Sequence, residues 1–307
     1  MDANHAELRL GTRGSALARW QANWVAAQLE RAGVSVELVL VTTQGDVTKG
    51  SLGSIGGQGL FTKEIQRALL DHRIDLAVHS LKDLPTEVVP GLMLGAVPVR
   101  ESNRDALIAR SVEALEALPA GSRVGTGSNR RRAQLLHLRP DLEPVDIRGN
   151  VDTRLRHLDE GRYDAILLAE AGLKRLGRAD RIAQVLPRQQ MVPAVGQGAL
   201  GLEVRADDAG TTERIRALDD RNTHASVVAE RALLAALRAG CLAPVGAWAR
   251  VQAGTLTLDA VVLSADGKQR LVATASGAAD TPVAIGQEAA RTLLDQGAAD
   301  LIDAARA

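Results

Sequence analysis

Gly11-Thr12-Arg13-Gly14-Ser15 and Gly125-Thr126-Gly127-Ser128-Asn129-Arg130-Arg131-Arg132 are two versions of one local design. In each, a short apolar run ends at glycine and threonine, and a stretch with helical spacing starts after the serine. Leu8–Leu10 reads as the strand before the first turn, and Ala16 to Glu30 as the amphipathic helix after it, ending at Gly33. Val124 closes the strand before the second turn, and Asn129 to Leu138 is its helix. This recurrence predicts an α/β fold with two similar lobes. Ligands of open α/β sheets bind at the carboxyl ends of strands. Two facing lobes would therefore enclose a cleft lined by both turns.

The same alternation extends outward. Val36–Val41 is strand-like, Phe61–Leu70 helical and Ile74–His79 a strand, and Pro85 bars any continuation in regular structure. Thr42–Gly59 carries Gly50, Gly53, Gly56, Gly57 and Gly59 without a period and reads as a loop. Beyond about residue 100, Pro144–Ile147 is strand-like, Val151–Glu160 helical, Tyr163–Ala169 a strand and Ala171–Leu176 a short helix. Such order implies a mostly parallel sheet with helices on both faces. From Ala225 the pattern changes. A helix to Ala239 precedes strand-like runs at Val245–Val251, Thr255–Leu263 and Arg270–Ala275, with Asp266-Gly267 as a hairpin turn and a last helix over Pro282–Leu294. That is a small α+β domain with an antiparallel sheet. The expected division is 6–98 with 199–218, then 103–193, then 222–307.

Arginine dominates the chemistry, supplying 32 of the 37 basic residues. Thirty-seven acidic residues balance them to a formal net charge of zero, and only five aromatic residues occur. A nucleic-acid binder needs a basic surface and stacking platforms, so RNA binding through the arginine runs is disfavoured. Met1–His5 has neither a basic n-region nor an apolar h-region, and no apolar run approaches a membrane span. A single cysteine excludes a disulfide framework, and a cytoplasmic location is expected. No metal is expected, since the six histidines are scattered and no cluster has ligand spacing.

Guanidinium groups beside free helix N–H donors bind carboxylates or phosphates. Arg130 to Arg132 also suit a solvated helix face, and consecutive arginines point about 100° apart. A third turn, Arg148-Gly149-Asn150-Val151-Asp152-Thr153-Arg154, repeats the theme, and agreement among three turns favours an anion site. In His79-Ser80-Leu81-Lys82-Asp83-Leu84-Pro85, Asp83 is either a carboxylate facing developing cations or an N-cap or partner of Lys82; composition favours the second. His79 reads as a hydrogen-bonded core residue. Cys241, in Ala239-Gly240-Cys241-Leu242-Ala243-Pro244, is a small buried hydrophobe or an accessible nucleophile, and spacing does not decide. Gly196-Gln197-Gly198-Ala199-Leu200-Gly201 has G-x-G-x-x-G spacing, but a strand-like run comes after it rather than a helix. A glycine-permitted turn between lobes is the better reading.

Taken together, seven stretches resemble the porphobilinogen deaminase (hydroxymethylbilane synthase) family in order from about residue 8 to 250. They are Gly-Thr-Arg-Gly-Ser-Ala-Leu-Ala, Gly-Gly-Gln-Gly-Leu-Phe-Thr-Lys-Glu, Ala-Val-His-Ser-Leu-Lys-Asp-Leu-Pro, Val-Gly-Thr-Gly-Ser-Asn-Arg-Arg, Ile-Arg-Gly-Asn-Val-Asp-Thr-Arg-Leu, Leu-Ala-Glu-Ala-Gly-Leu-Lys-Arg-Leu-Gly and Pro-Ala-Val-Gly-Gln-Gly-Ala. The resemblance implies two lobes like type II periplasmic binding proteins plus a third domain presenting a cysteine. It implies a monomeric transferase that joins four porphobilinogen molecules head to tail with loss of ammonia and releases hydroxymethylbilane for tetrapyrrole and heme biosynthesis. The primer is a dipyrromethane, which the resemblance places as a thioether on Cys241. Its catalytic aspartate maps onto Asp83. Its carboxylate binders map onto Arg13, Ser15, Lys82, Thr126, Ser128, Arg130, Arg131, Arg148, Arg154 and Arg175. Gln21, Phe61, Ser80 and Gln197 match positions near the site. Ser54 and Gln58 depart from the pattern, standing where many members carry lysines. A second class, a non-catalytic small-anion-binding protein on the same two-lobed scaffold, predicts no covalent adduct.

Overall fold

A computed structural model describes residues 7–41, 62–240 and 242–306. In chain order the first unit holds β1 (Leu8–Thr12), α1 (Ala16–Arg31), β2 (Val36–Leu40), α2 (Lys63–Leu70), β3 (Leu76–Ser80) and β4 (Leu92–Ala96). The chain then builds β5 (Asp105–Ala109), β6 (Arg123–Gly125), α3 (Asn129–Leu138), β7 (Glu143–Val145), α4 (Val151–Asp159), β8 (Ala165–Ala169), α5 (Glu170–Arg175) and β9 (Gln184–Val185). It returns to the first unit with β10 (Leu200–Arg205) and α6 (Ala209–Ile215). Then come α7 (Arg221–Ala236), β11 (Val245–Gln252), β12 (Thr255–Leu263), β13 (Arg270–Ala278), α8 (Pro282–Asp295) and α9 (Ala298–Ala304). Two compact units result: 1–100 with 199–224, and 101–198 with 225–307.

The first unit carries a five-stranded sheet in the order β2-β1-β3-β10-β4. Neighbours β2, β1 and β3 pair parallel, while β10 runs antiparallel to both β3 and β4. The second unit repeats this as β7-β6-β8-β5-β9, with β6 parallel to β7 and β8, and β5 antiparallel to β8 and β9. Four strands therefore share a direction in each sheet and one is reversed, which refines the mostly parallel expectation. The reversed strand is the one that arrives from the other sheet's stretch of chain. Periodicity encodes burial and not direction, so this feature has no local signal.

Local chemistry explains the elements. Ser15 caps α1 by accepting from Ala18 N at 3.3 Å, and Asn150 caps α4 by accepting from Thr153 N at 2.9 Å. The first lobe buries Leu8, Leu10, Val25, Leu29, Leu76 and Leu202 on one face of its sheet and Ile65, Leu69 and Ile74 on the other. Each such side chain contributes roughly 1.5–3 kcal/mol of transfer free energy. In the second lobe Leu107, Val124, Leu135 and Leu167 pack on one face, and Ile108, Ile147, Leu158 and Ile166 on the other. Alternate residues of one strand thus serve opposite faces, as a two-sided sheet requires.

The three-stranded sheet β11-β12-β13 is antiparallel throughout, with α7 and α8 supplying Leu233, Ile285, Ala289 and Leu293 to its core. Gly267 takes φ +74° in the β12–β13 turn, as Asp266-Gly267 predicted. This turn packs against α3: a Cβ on Gly267 would lie 2.6 Å from His137 N, and His137 Nδ1 is 2.9 Å from Gly267 O. Ala133, Val192, Val261 and Leu263 close the same seam. Glu230, fully buried on α7, accepts from Gly196 N at 2.8 Å and Ala249 N at 2.9 Å. Arg188 and Arg250 both stack on Trp248, with guanidinium carbons 4.8 and 4.2 Å from ring centroids.

Several boundaries differ from expectation by one to four residues. The helix read from Ala225 to Ala239 runs from Arg221 to Ala236, because Asp220 accepts from Thr223 N at 2.8 Å and starts it a turn earlier. Past α8, left-handed Gly297 breaks the chain and begins α9, which no strong apolar period announces. The strand read over Pro144–Ile147 is Glu143–Val145.

Candidate functional site

In the first unit, the expected residues collect where β1 and β3 end side by side. Thr12 closes β1 and its hydroxyl donates to Ala18 O at 3.1 Å, tightening the turn that holds half-buried Arg13. The Ser15 hydroxyl caps α1, and its own proton stays available to donate. Buried Gln21, one turn into α1, donates from Nε2 to Ser80 Oγ at 2.8 Å and joins the two strand ends. Leu81–Asp83 forms a single 3-10 turn, anchored by buried Leu81, whose N–H donates to Ala199 O at 3.0 Å. Lys82 is half-buried and Asp83 exposed. His79 is core, with Nε2 2.9 Å from Glu203 Oε2, and Glu203 Oε1 accepts from Gln66 at 2.9 Å.

The second unit is more tightly organised. Buried Thr126 donates its N–H to Val145 O at 2.9 Å and accepts from Ser128 N at 3.2 Å. Ser128 caps α3, accepting from Arg131 N at 3.4 Å. Gly127 is needed here because a Cβ would lie 2.9 Å from Ile147 O and 3.4 Å from Asp146 Oδ1, so the 125–128 and 146–149 turns abut. On the second turn Arg148 is exposed and paired with Asp146 at 2.8 Å. Arg154 donates from Nε to Gly149 O at 2.8 Å.

Arg130 and Arg131 are not a solvated helix face. Their side chains are 4% and 7% exposed, and both reach Asp105, which is fully buried at the start of β5. Arg130 donates from Nη1 at 2.7 Å and Nη2 at 3.2 Å, a bidentate fork, and Arg131 from Nε at 2.8 Å. Gln197 Nε2 adds a bond to Asp105 at 3.1 Å and one to Asn103 O at 2.7 Å. Burial alone would raise the Asp105 carboxyl, but the charges of Arg130 and Arg131 outweigh it and hold it at about 2. Burial lowers Arg131, against the pull of Asp105, and the charge of Arg130 adds to the lowering. Arg175, likewise lowered by burial, donates to Gly198 O at 2.8 Å, next to Gln197. Arg132 is half-buried and joins none of these bonds.

Gly196 and Gly198 take φ +69° and +84° and lead into β10. The G-x-G-x-x-G stretch is thus a turn before a strand. Phe61, Ser54, Gln58, the 42–59 loop and Cys241 lie outside the described residues. Leu242, next to Cys241, accepts at its carbonyl from Asn129 Nδ2 at 2.9 Å, on the first residue of α3. Sequence reading missed Asp105, Asn129 and Glu230. Their partners lie 25 or more, 113, and 19 or more residues away, beyond any spacing rule. No group of three or more acidic, histidine or cysteine side chains suited to a metal occurs among the described residues, nor any helix long and apolar enough to cross a membrane.

Two lobes with strand order 2-1-3-n-4 and one reversed strand each, basic turns at their strand ends, and an antiparallel three-stranded sheet define a two-lobed α/β protein with an added α+β domain. A putative methionine-binding lipoprotein of Bacillus subtilis covers 69% of this chain and 89% of its own, at TM-score 0.44 and 10% identity. The family model for the porphobilinogen deaminase dipyrromethane cofactor binding domain matches residues 8–213, and that for its C-terminal domain residues 224–295. Porphobilinogen deaminase of Desulforudis audaxviator is 51% identical over 304 residues, 98% of each chain. Those of Syntrophotalea carbinolica and Acidithiobacillus ferrooxidans are 50% and 49% identical, covering 95% and 97% of this chain and 93% and 98% of theirs. The chain belongs to the porphobilinogen deaminase family.

Proposed function

We propose that this chain is a transferase that condenses four porphobilinogen molecules head to tail, with loss of four ammonia molecules, and releases hydroxymethylbilane by hydrolysis, one water supplying its hydroxyl. The observation that carries the reading is the cluster at α3, where two buried guanidiniums share one carboxylate and a net positive charge remains. Each porphobilinogen bears acetate and propionate arms, and arginine is the residue suited to them. Arg130 Nε is buried and has no hydrogen-bond partner among the described residues, so the cluster fits an acidic pyrrole.

In this reading residues 6–98 with 199–218 and 103–193 are the lobes, and 222–307 the domain that attaches the cofactor. Cys241 would hold the dipyrromethane as a thioether, since a thiolate is the suited nucleophile and a thioether, unlike an ester, resists hydrolysis. Bound there, the dipyrromethane supplies the acceptor carbon of the first addition and stays with the enzyme. Thr126, Ser128, Arg130, Arg131, Arg148, Arg154 and Arg175 from one lobe, and Arg13, Ser15 and Lys82 from the other, take the carboxylates. Gln21 and Ser80 brace the turn that carries Asp83, Gln197 borders the site, and Phe61 matches a family position near the cofactor. Ammonia departs from the aminomethyl group of porphobilinogen as cationic charge develops on its pyrrole nitrogen. Asp83 stabilises that charge and assists the proton transfers, an electrostatic and acid–base role for an exposed carboxylate.

The chain acts as a monomer in the cytoplasm, without nucleic-acid or membrane partners. Balanced charge and a sole cysteine that must stay reduced support this part. Intact mass tests the whole. The purified active protein should exceed its sequence mass by one dipyrrole, and Cys241→Ser should lack the increment. A bare-chain mass in active protein rejects the cofactor, and an unchanged adduct in the variant moves the attachment elsewhere.

A further inference from the structure

Consecutive arginines on a helix diverge by about 100°. Arg130 and Arg131 nevertheless converge, because Asp105 gathers them. Its Oδ2 accepts from Arg130 Nη1, and its Oδ1 from Arg130 Nη2, Arg131 Nε and Gln197 Nε2. The other bonds made by the two guanidiniums go to neutral carbonyls: Arg130 Nη1 to Val192 O at 2.7 Å and Arg131 Nη1 to Leu167 O at 3.0 Å. Two cations and one anion leave a single positive charge, buried, beside the partnerless Arg130 Nε. An uncompensated buried charge and an orphaned buried N–H are both unfavourable. One incoming carboxylate removes both penalties.

We propose that Asp105 is a positioning residue that locks Arg130 and Arg131 into a preformed receptor for one pyrrole carboxylate. The inference rests on the functional reading above, which supplies the pyrrole as ligand. Each arginine side chain loses rotamer entropy when it is held in one geometry. Asp105 takes up that cost during folding, so the ligand does not meet it on binding. It also trims the receptor from two positive charges to one, matching a single carboxylate. Gln197 braces the same oxygen from the segment that leads into β10, so the receptor's geometry is held from a second direction.

Isothermal titration calorimetry with porphobilinogen as the probe tests this in full-length Cys241→Ser protein, which cannot link pyrroles. If that protein with Asp105 intact binds no porphobilinogen, the functional reading fails and not the role of Asp105. Given binding, Asp105→Glu keeps the charge but moves the carboxylate by one methylene, and the expected result is at least a tenfold loss of affinity with the circular dichroism spectrum unchanged. Asp105→Asn keeps the shape and leaves the cluster doubly positive. Coulomb attraction alone then predicts tighter binding, whereas loss of the gathered geometry predicts a loss of at least tenfold. A merely structural role leaves the affinity of folded molecules untouched. Equal or tighter binding in either folded variant overturns the proposal, and so does failure of both to fold, which assigns Asp105 to the core alone. If only Asp105→Asn fails to fold, Asp105→Glu decides.

Discussion

Gly198→Ala is expected to be among the most damaging single-methyl additions in this chain. Gly198 sits at φ +84°, where a β-carbon costs about 1–2 kcal/mol. The added carbon would also lie 2.4 Å from Glu101 O and 2.6 Å from Ser102 O. Those are backbone atoms of the segment leading into β5, so no side-chain rotation relieves the overlap. Ser102 Oγ donates to buried Glu170, which Lys174 pairs at 2.9 Å, so that segment is itself fixed. Strain and overlap together should cost about 3–5 kcal/mol, the range of severe single substitutions. At about 2–4 °C per kcal/mol for a domain of this size, the melting temperature should fall by roughly 6–20 °C. Gly33→Ala is the control: it has φ +82° but nothing within 4 Å of the added carbon, and should lose only the conformational part. Urea unfolding followed by circular dichroism compares the two. If Gly198→Ala is no less stable than Gly33→Ala, close backbone approach is not why glycine stands there. The G-x-G spacing would then need a ligand-based explanation.

Asp83→Ala should retain the dipyrrole by mass and lose nearly all turnover; near-normal rates would demote Asp83 to a structural residue. Asp105 is held below its ordinary 3.8 at about 2, so its ionisation stabilises the fold by about 2 kcal/mol above pH 4, a contribution lost as pH falls toward 2. Unfolding free energies measured from pH 6 downward should drop through that window, and a flat or rising profile contradicts the assignment. Glu230→Ala leaves Gly196 N and Ala249 N without their acceptor and should cost about 2–5 kcal/mol by chemical denaturation; a loss under about 1 kcal/mol, the net worth of one ordinary hydrogen bond, shows that the carboxylate is dispensable.

The α/β plan was legible because β5 and β8 are near-continuous apolar runs, as strands buried on both faces are, and because Ser128 and Asn150 are strong caps. Asn129–Leu138 was read to the residue, its cap preceding an unbroken helical run. Strand direction was not legible: β5 and β10 have ordinary apolar patterns, and only their pairing reverses them. The arginines at turns 125–132 and 148–154 were visible as candidates. Their sorting was hidden, since Asn103-Arg104-Asp105 looks like the polar lead of a strand. Only the fold brings Gln197 to Asp105 from 92 residues away. Arg148, exposed and paired to Asp146, and Arg131, buried against Asp105, look alike in sequence and sit in different dielectric surroundings.

The position of β10 has a bearing on biosynthesis of the chain itself. It lies between β3 and β4, and β4 has no other strand neighbour in the sheet. About a hundred residues separate β4 from β10. At roughly 5–20 residues per second of translation, the nascent β4 waits on the order of 5–20 s for its partner. The second lobe's strands are contiguous in the chain and can close during that interval. The bonds that Arg130, Arg131 and Gln197 make to Asp105 would form promptly once Gln197 emerges, before the first lobe is complete.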